Sequence, residues 1–367
     1  MLGRIWFLIL LLSAPLATFA QNNSLKSPNV SANTLFLYRN SNFHQEDADE
    51  TRNGVDLREA ELMFSSDVDP YSRLSLLLSV HPNYKFNATS GKVEQTWAVE
   101  PEEVFAETDQ IPGVTIKAGK FKAAFGKHNQ LHTHAYPFID APLANSKLLG
   151  EEGLNDAGVS AAGLLPVAWF SEITAQYLRG AGENAEFSSP TSGDGVGVGH
   201  WKNLLDLSDA LTMEIGASVA KGGNATGGST SLYGGDLTFK WRPVTGGKYH
   251  SAIAAAEFIH RDMQQSGIAD ETGKGLALWG QFQFAERWAS NVRYETLDVH
   301  NSVNPDLPNL LTTKECFGLT FNATEFSAFR LEYDMAHGPA NAKGSNNEKT
   351  VYLQANFTIG AHPAHSY

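Results

Sequence analysis

Alternation constrains this chain more than any other feature. Leu211, Met213, Ile215, Ala217 and Val219 alternate with Thr212, Glu214, Gly216 and Ser218. Gly235, Leu237, Phe239 and Trp241 alternate with Asp236, Thr238, Lys240 and Arg242. Phe329–Met335 and Val351–Ile359 repeat the pattern. Successive side chains of a strand point to opposite faces, so each segment has one apolar and one polar face. Roughly sixteen such segments recur, many of about ten residues, which is the strand signature of a closed membrane barrel. They begin near Asn33, Val55, Ser72, Lys92, Val114, Asp156, Ala168, Val196, Leu211, Ser231, Tyr249, Gly275, Arg287, Thr313, Ser327 and Lys349.

The connections mostly alternate in length. Asp69–Tyr71, Leu165–Val167, Glu286-Arg287 and Ala323–Phe326 are tight. His44–Gly54, Gly126–Asn155, Gly180–Gly195, His300–Leu311 and His337–Glu348 are long, and Glu100–Gly113 is an exception to the rhythm. A soluble sandwich or propeller would also alternate. Short turns at one end, long loops at the other and aromatic residues near segment ends (Trp169, Tyr177, Trp201, Trp241, Trp288) favour the barrel. The expected fold is all-β: a closed antiparallel transmembrane β-barrel of about 16 strands in a bacterial outer membrane, its sheet edges removed by closure. With both termini periplasmic the strand number is even.

The ends and the composition set the rest of the frame. Residues 1–20 read as a secretory signal peptide, with Arg4, the apolar run Ile5–Leu12 and a small-x-small site at Thr18–Ala20. Residues 21–32 are expected to be a short periplasmic segment, 33–361 the barrel and 362–367 a tail. No later run of 18 apolar residues offers a membrane helix. The single Cys316 can form no internal disulfide and is expected to be a small packed side chain. A net charge of −13 disfavours nucleic acid as a partner.

Gly126–Asn155 stands apart, because it is long and does not alternate. Loops of this length in a compact fold are functional or disordered, and Leu131, Tyr136, Phe138, Ile139, Leu143, Leu148 and Leu149 argue for order. The expectation is a third external loop folded into the lumen as a constriction, with His128, His132, His134, Asp140, Lys147, Glu151 and Glu152 as its polar residues. Imidazoles suit zinc, copper or nickel, so His128, His132 and His134 are candidate metal ligands. The alternative is that they hydrogen-bond the loop to the wall. No resident cofactor is expected, only transient zinc.

Three stretches carry a resemblance. Leu57–Tyr71 (LREAELMFSSDVDPY), Ile116–Leu143 and Leu148–Val159 (LLGEEGLNDAGV) resemble a group of Gram-negative outer-membrane proteins related to the phosphate-selective porins and labelled zinc-regulated outer-membrane receptors. Gly360–Tyr367 is similar to that group's ending. The resemblance implies a porin-like barrel and a link to metal supply. The chain departs from it in lacking room for a plug domain between residue 21 and the first strand, and in its acidic balance.

The polar strand face is expected to line the lumen with Glu59, Glu61, Lys117, Glu172, Glu214, Asp236, Lys240, Arg242, Glu257, Arg293, Glu295, Arg330, Glu332 and Asp334. Nine acids against five bases would bias a pore toward cations. No nucleophile elbow and no phosphate-binding glycine loop is present, so an enzyme is not expected. The expected function is passive diffusion of small hydrophilic solutes or ions, weakly favouring cations. The alternatives are zinc-linked uptake or binding through the loop histidines, and a non-conducting structural or adhesive barrel. Expected partners are outer-membrane lipid and lipopolysaccharide, the solutes themselves and, as is common among porins, two further copies in a homotrimer.

Overall fold

The computed structural model describes residues 28–43, 52–87, 89–150, 152–182, 185–191, 193–301, 311–338 and 346–360. The expected signal peptide, Glu151 and the 362–367 tail lie outside the described residues.

Sixteen strands form one closed antiparallel barrel. In chain order they are β1 (Asn29–Ser41), β2 (Gly54–Asp69), β3 (Ser72–Asn87), β4 (Lys92–Ile111), β5 (Val114–Lys122), β6 (Asn155–Leu164), β7 (Phe170–Leu178) and β8 (Val196–Ser208). They continue with β9 (Leu211–Gly223), β10 (Ser229–Trp241), β11 (Ser251–Gln264), β12 (Glu271–Ala285), β13 (Trp288–Asn301), β14 (Thr312–Thr324), β15 (Ser327–His337) and β16 (Asn347–Gly360). Each strand pairs with its sequence neighbours, and β1 closes on β16 from Ser31↔Gly360 to Ser41↔Thr350. β1 starts at Asn29, inside the segment expected to precede the barrel.

The two faces of the sheet have inverted polarity relative to a soluble protein. Ile215, Val219, Phe258, Val292, Tyr294, Leu331, Leu353 and Phe357 are exposed on the outside. Phe36, Phe329 and Phe357 meet edge to face across three strands on that side. The opposite parity carries Glu214, Asp236, Glu257, Arg293, Glu295 and Glu332, all buried toward the lumen. An apolar exterior on a closed sheet is the arrangement a bilayer demands, since closure pairs the backbone of spanning strands with their neighbours.

Glu100–Gly113 is not a connection. β4 runs through it to Ile111, and the turn is only at Pro112-Gly113. β4 pairs with β3 along nearly its whole length, but with β5 only from Val104 onward. The end of β4 near Lys92 therefore rises above the end of β5. The chain leaves the wall at this notch and enters the barrel.

The core sits inside the lumen. Phe121, Phe125, Leu148, Leu149 and Leu154 pack against the wall residues Leu178, Val196, Val198, Ala220, Leu232, Ile259 and Leu297. Those wall residues share the polar parity of their strands, so an apolar patch interrupts the wet face. Each fully buried aliphatic or aromatic side chain contributes about 1.5–3 kcal/mol. This patch is the seat on which residues 123–154 rest.

Candidate functional site: the lumen and its inward loop

Residues 123–154 form a closed loop whose neck is stapled. The Ala123 N–H donates to the Leu154 carbonyl at 2.8 Å. The Asn129 amide donates to both carbonyls, of Ala123 (2.9 Å) and Leu154 (3.1 Å), and accepts from the Leu154 N–H at 2.7 Å. Within the loop lie two short 3-10 turns, His128–Gln130 and Thr133–Ala135, and one short helix, α1 (Leu143–Leu148). α1 lies against β12 where that strand has glycine. A Cβ on Gly275 would stand 2.7 Å from the Ala144 Cβ, and one on Gly273 2.5 Å from Leu148. Only a bare backbone lets the helix approach this closely.

From its neck the loop visits much of the wall. The Gly126 N–H donates to Ser218 Oγ at 2.8 Å, and Lys127 pairs with Glu214 at 3.0 Å. Glu257 accepts from the His128 N–H (3.1 Å) and the Asn145 amide (3.2 Å). Next come the histidines. His132 bonds Glu102 through Nδ1 and Glu103 through Nε2, each at 3.0 Å, and His134 Nδ1 lies 2.7 Å from Glu61. Glu102 and Glu103 are adjacent in sequence yet meet the same imidazole. The β3–β4 register shifts between Leu77 and Leu78, whose partners are Glu103 and Pro101. Glu102 is the extra residue of that bulge, which breaks the alternation and turns two successive carboxylates inward.

Beyond the histidines the loop meets cations. Arg330 donates to the Tyr136 carbonyl at 2.8 Å, and Asn291 to the Pro137 carbonyl at 2.7 Å. Phe138 lies under the Arg293 guanidinium at 4.4 Å and edge-on to Trp279. Asp140 is gripped by Arg293 and Lys314, which are themselves paired to Glu295 (2.7 Å) and Asp334 (2.8 Å). The Ile139 and Leu143 N–H groups donate to Glu332 and Glu295.

These contacts set the charge states in the loop. Burial alone would push the His132 imidazole down, but Glu102 and Glu103 raise it to about 10, so it is held as a cation. Burial, helped by the Arg293 and Lys122 cations, pushes His128 down to about 3. His128 is thus neutral and rests on the Tyr136 ring at 4.3 Å. Burial would raise the Asp140 carboxyl, but Lys314 and Arg293 hold it well below the usual range.

The expected site residues therefore separate into groups. Glu61, Glu214, Glu257, Arg293, Glu295, Arg330, Glu332 and Asp334 face the lumen, but each is an anchor of the loop or a partner of one, rather than a charge open to water. Glu59 faces the lumen and accepts from Ser79 at 2.6 Å. Lys117 lies over Phe105 at 4.0 Å, Glu172 is the cross-strand partner of Lys202, and Asp236 and Lys240 share the inner face of β10. Arg242 departs from expectation. It lies past the last residue of β10, exposed in the turn, because the strand ends at Trp241. In the loop, Lys147 and Glu152 are exposed. Alternation could not find Glu102, because a bulge puts it out of phase. Lys314 and Arg261, which joins Glu186, Glu271 and the Lys147 carbonyl, lie on the inward parity of β14 and β11, so the period gives their face but not their role; Asn129 lies in the loop, where no period holds.

The donor set for a metal also differs from the expected one. The three histidines do not converge as a ligand group. Instead Glu61, Glu102 and His132 bring one ligand atom each within 4.8 Å of one another, all buried. Two carboxylates and an imidazole suit a divalent transition cation. Such an ion would have to displace the His132 proton and compete with Lys122, whose ammonium is 2.8 Å from the same Glu102 oxygen. Above the end of β5 a polar cavity of about 670 Å³ opens, bounded by β3, β4, the loop's return and the end of β7.

A sixteen-stranded barrel with a greasy exterior and an inward loop defines a porin-like outer-membrane protein. No protein-family model matches the chain. An uncharacterized protein of Aquifex aeolicus (strain VF5) is 28% identical over 366 residues, covering 90% of this chain and 74% of that protein. Among solved structures, a loop L8 deletion mutant of OmpT, an outer membrane protein of Vibrio cholerae, superposes with a TM-score of 0.59 at 8% identity, covering 91% of this chain and 99% of that one. The outer membrane channel DcaP of Acinetobacter baumannii gives 0.58 at 10% identity, with 90% and 97% covered. OprB of Pseudomonas putida gives 0.57 at 10% identity, with 91% and 94% covered. These likenesses are of fold. With the apolar outer face, they place the chain in a bacterial outer membrane.

Proposed function

We propose that the chain is a channel for passive diffusion of small hydrophilic solutes or ions, with a weak preference for cations. The observation that carries this reading is the ordered loop anchored inside a closed barrel, which narrows a lumen without a separate plug domain among the described residues. The lumen-facing charges support only a weak bias. The wall adds Glu102 and Glu103 to the expected acids, but also Arg39, Lys202, Arg261 and Lys314 to the bases, and it loses Arg242. Its apolar exterior meets outer-membrane lipid and lipopolysaccharide, and a homotrimer is the assembly consistent with a porin role.

Purified protein in a planar bilayer tests this directly. Ohmic steps with a reversal potential displaced toward that of potassium are expected in a potassium chloride gradient. Displacement toward chloride would remove the cation preference. Absence of steps would leave a non-conducting structural or adhesive barrel. A second reading, zinc binding linked to uptake, is favoured by the convergence of Glu61, Glu102 and His132. It predicts zinc block of the current that is lost in both Glu102→Gln and His132→Ala.

A further inference from the structure

We propose that the notch above β5 is a docking site for a small zwitterionic solute, one carrying an ammonium and a carboxylate as amino acids and short peptides do. The inference rests on the channel reading and names a solute class for it. The cavity of about 670 Å³ lies where β5 stops and β4 continues, beside the point at which the loop enters the lumen. Its volume falls within the roughly 300–1,000 Å³ of small-molecule sites.

Charges of both signs border the cavity. Three of its carboxylates are already engaged: Glu102 with Lys122 and His132, Asp156 with the N–H groups of Gly180 and Ala181, and Glu186 with Arg261. Four charged groups are left: Glu100 on β4, Glu152 on the returning loop, Lys120 on β5 and Arg179 at the end of β7. Among the described residues, none of these four forms an ion pair at contact distance, although all border one cavity; Glu152 feels the Lys122 charge only at longer range. Opposite charges held apart around a polar space are matched by a ligand that bridges them. Its ammonium meets Glu100 and Glu152, and its carboxylate meets Lys120 and Arg179. A singly charged ion gains only one half of this arrangement and is repelled by the other.

The test uses alanyl-alanine as zwitterion, with its N-acetyl derivative (no ammonium) and its C-terminal amide (no carboxylate). Each is titrated against the potassium chloride current of the full chain in planar bilayers. The zwitterion is expected to reduce the current at about threefold lower concentration than either derivative, the size of effect that solvent-exposed charge pairs give. Glu152→Gln should erase the advantage over the N-acetyl form while keeping that over the amide. Arg179→Gln should do the reverse. If potassium chloride conducts but the three probes act alike, the docking site is refuted and the channel stands. If no current flows, the channel reading fails, and calorimetric titration of the detergent-solubilised protein with the same probes decides the site. Preferential binding of the zwitterion then upholds it, and equal or absent binding refutes it.

Discussion

The inward loop is fastened at two clamps of opposite polarity. At one, the loop supplies a cation, His132, and the wall supplies the carboxylates Glu102 and Glu103. At the other, the loop supplies an anion, Asp140, and the wall supplies Arg293 and Lys314. The two differ in what removal leaves behind. Without His132, Glu102 still has Lys122 at 2.8 Å and access to a titrating proton. Without Asp140, the buried Arg293 guanidinium keeps its charge at any ordinary pH, and Lys314 loses one of its two carboxylates. A charge withdrawn from water is stable only while its partners are in place. The Asp140 clamp is therefore the more expensive one to break.

The largest expected effect is that of Asp140→Ala. Breaking a buried ion pair by removing one partner costs about 3–5 kcal/mol. The lower end, about 3 kcal/mol, applies here because Glu295 and Asp334 remain on the two cations. The segment from Tyr136 to Leu143 should come away from β13–β15, giving larger and noisier single-channel conductance and faster proteolysis in the loop. Conductance identical to the wild type would show that the clamp holds nothing. His132→Gln should have a smaller effect of the same kind, about 1.5–3 kcal/mol, the worth of hydrogen bonds to charged groups. If it opens the channel more than Asp140→Ala, the ranking of the clamps is inverted.

The clamps also respond to pH in opposite directions. His132 has its folded pKa raised from 6.5 to about 10. Its contribution is complete below 6.5 and is lost as pH rises through about 10. Asp140 has its folded pKa lowered from 3.8, so its contribution is present above 3.8 and is lost only as pH falls below that value. Loop anchoring should thus weaken progressively from about pH 6.5 toward 10 in the wild type, read as rising conductance noise. The alkaline trend should vanish in His132→Gln. A trend unchanged in that variant would assign the titration elsewhere.

Much of this architecture was legible in the sequence, for a physical reason. A strand buried in lipid on one side and wet on the other must alternate, and Leu211–Val219 and Val351–Ile359 do so without interruption. Ordering of the loop was legible too, in Phe138, Ile139, Leu148 and Leu149. Its partners were harder to find. Apart from Arg242, the wall charges read as pore-lining lie on the inward parity of their strands, but alternation reports only the face and not what covers it. The seat of the loop left a signal that could have been used. Leu178, Val196, Leu232, Ile259 and Leu297 are apolar residues on the polar parity of their strands. Glu102 left none, because a bulge is a local break in the period by which inward strand residues are read.

The smallest effect is expected at the barrel's turn end, far from both clamps. Lys248 and Glu286 pair there at 2.6 Å, with about two thirds of the lysine and nearly half of the glutamate side chain exposed (68% and 46%). The distance is shorter than the 3.0 Å contacts of His132, but separation alone does not rank the pairs. Water solvates both exposed partners in either state, so their attraction replaces hydration of almost equal worth. At His132 that hydration is already lost, and the carboxylates are its replacement. Lys248→Ala should therefore leave conductance, its pH trend and thermal stability in detergent unchanged within error. A measurable loss would mean that burial does not decide which ion pairs hold this barrel's loop, and the contrast between the two clamps would lose its basis.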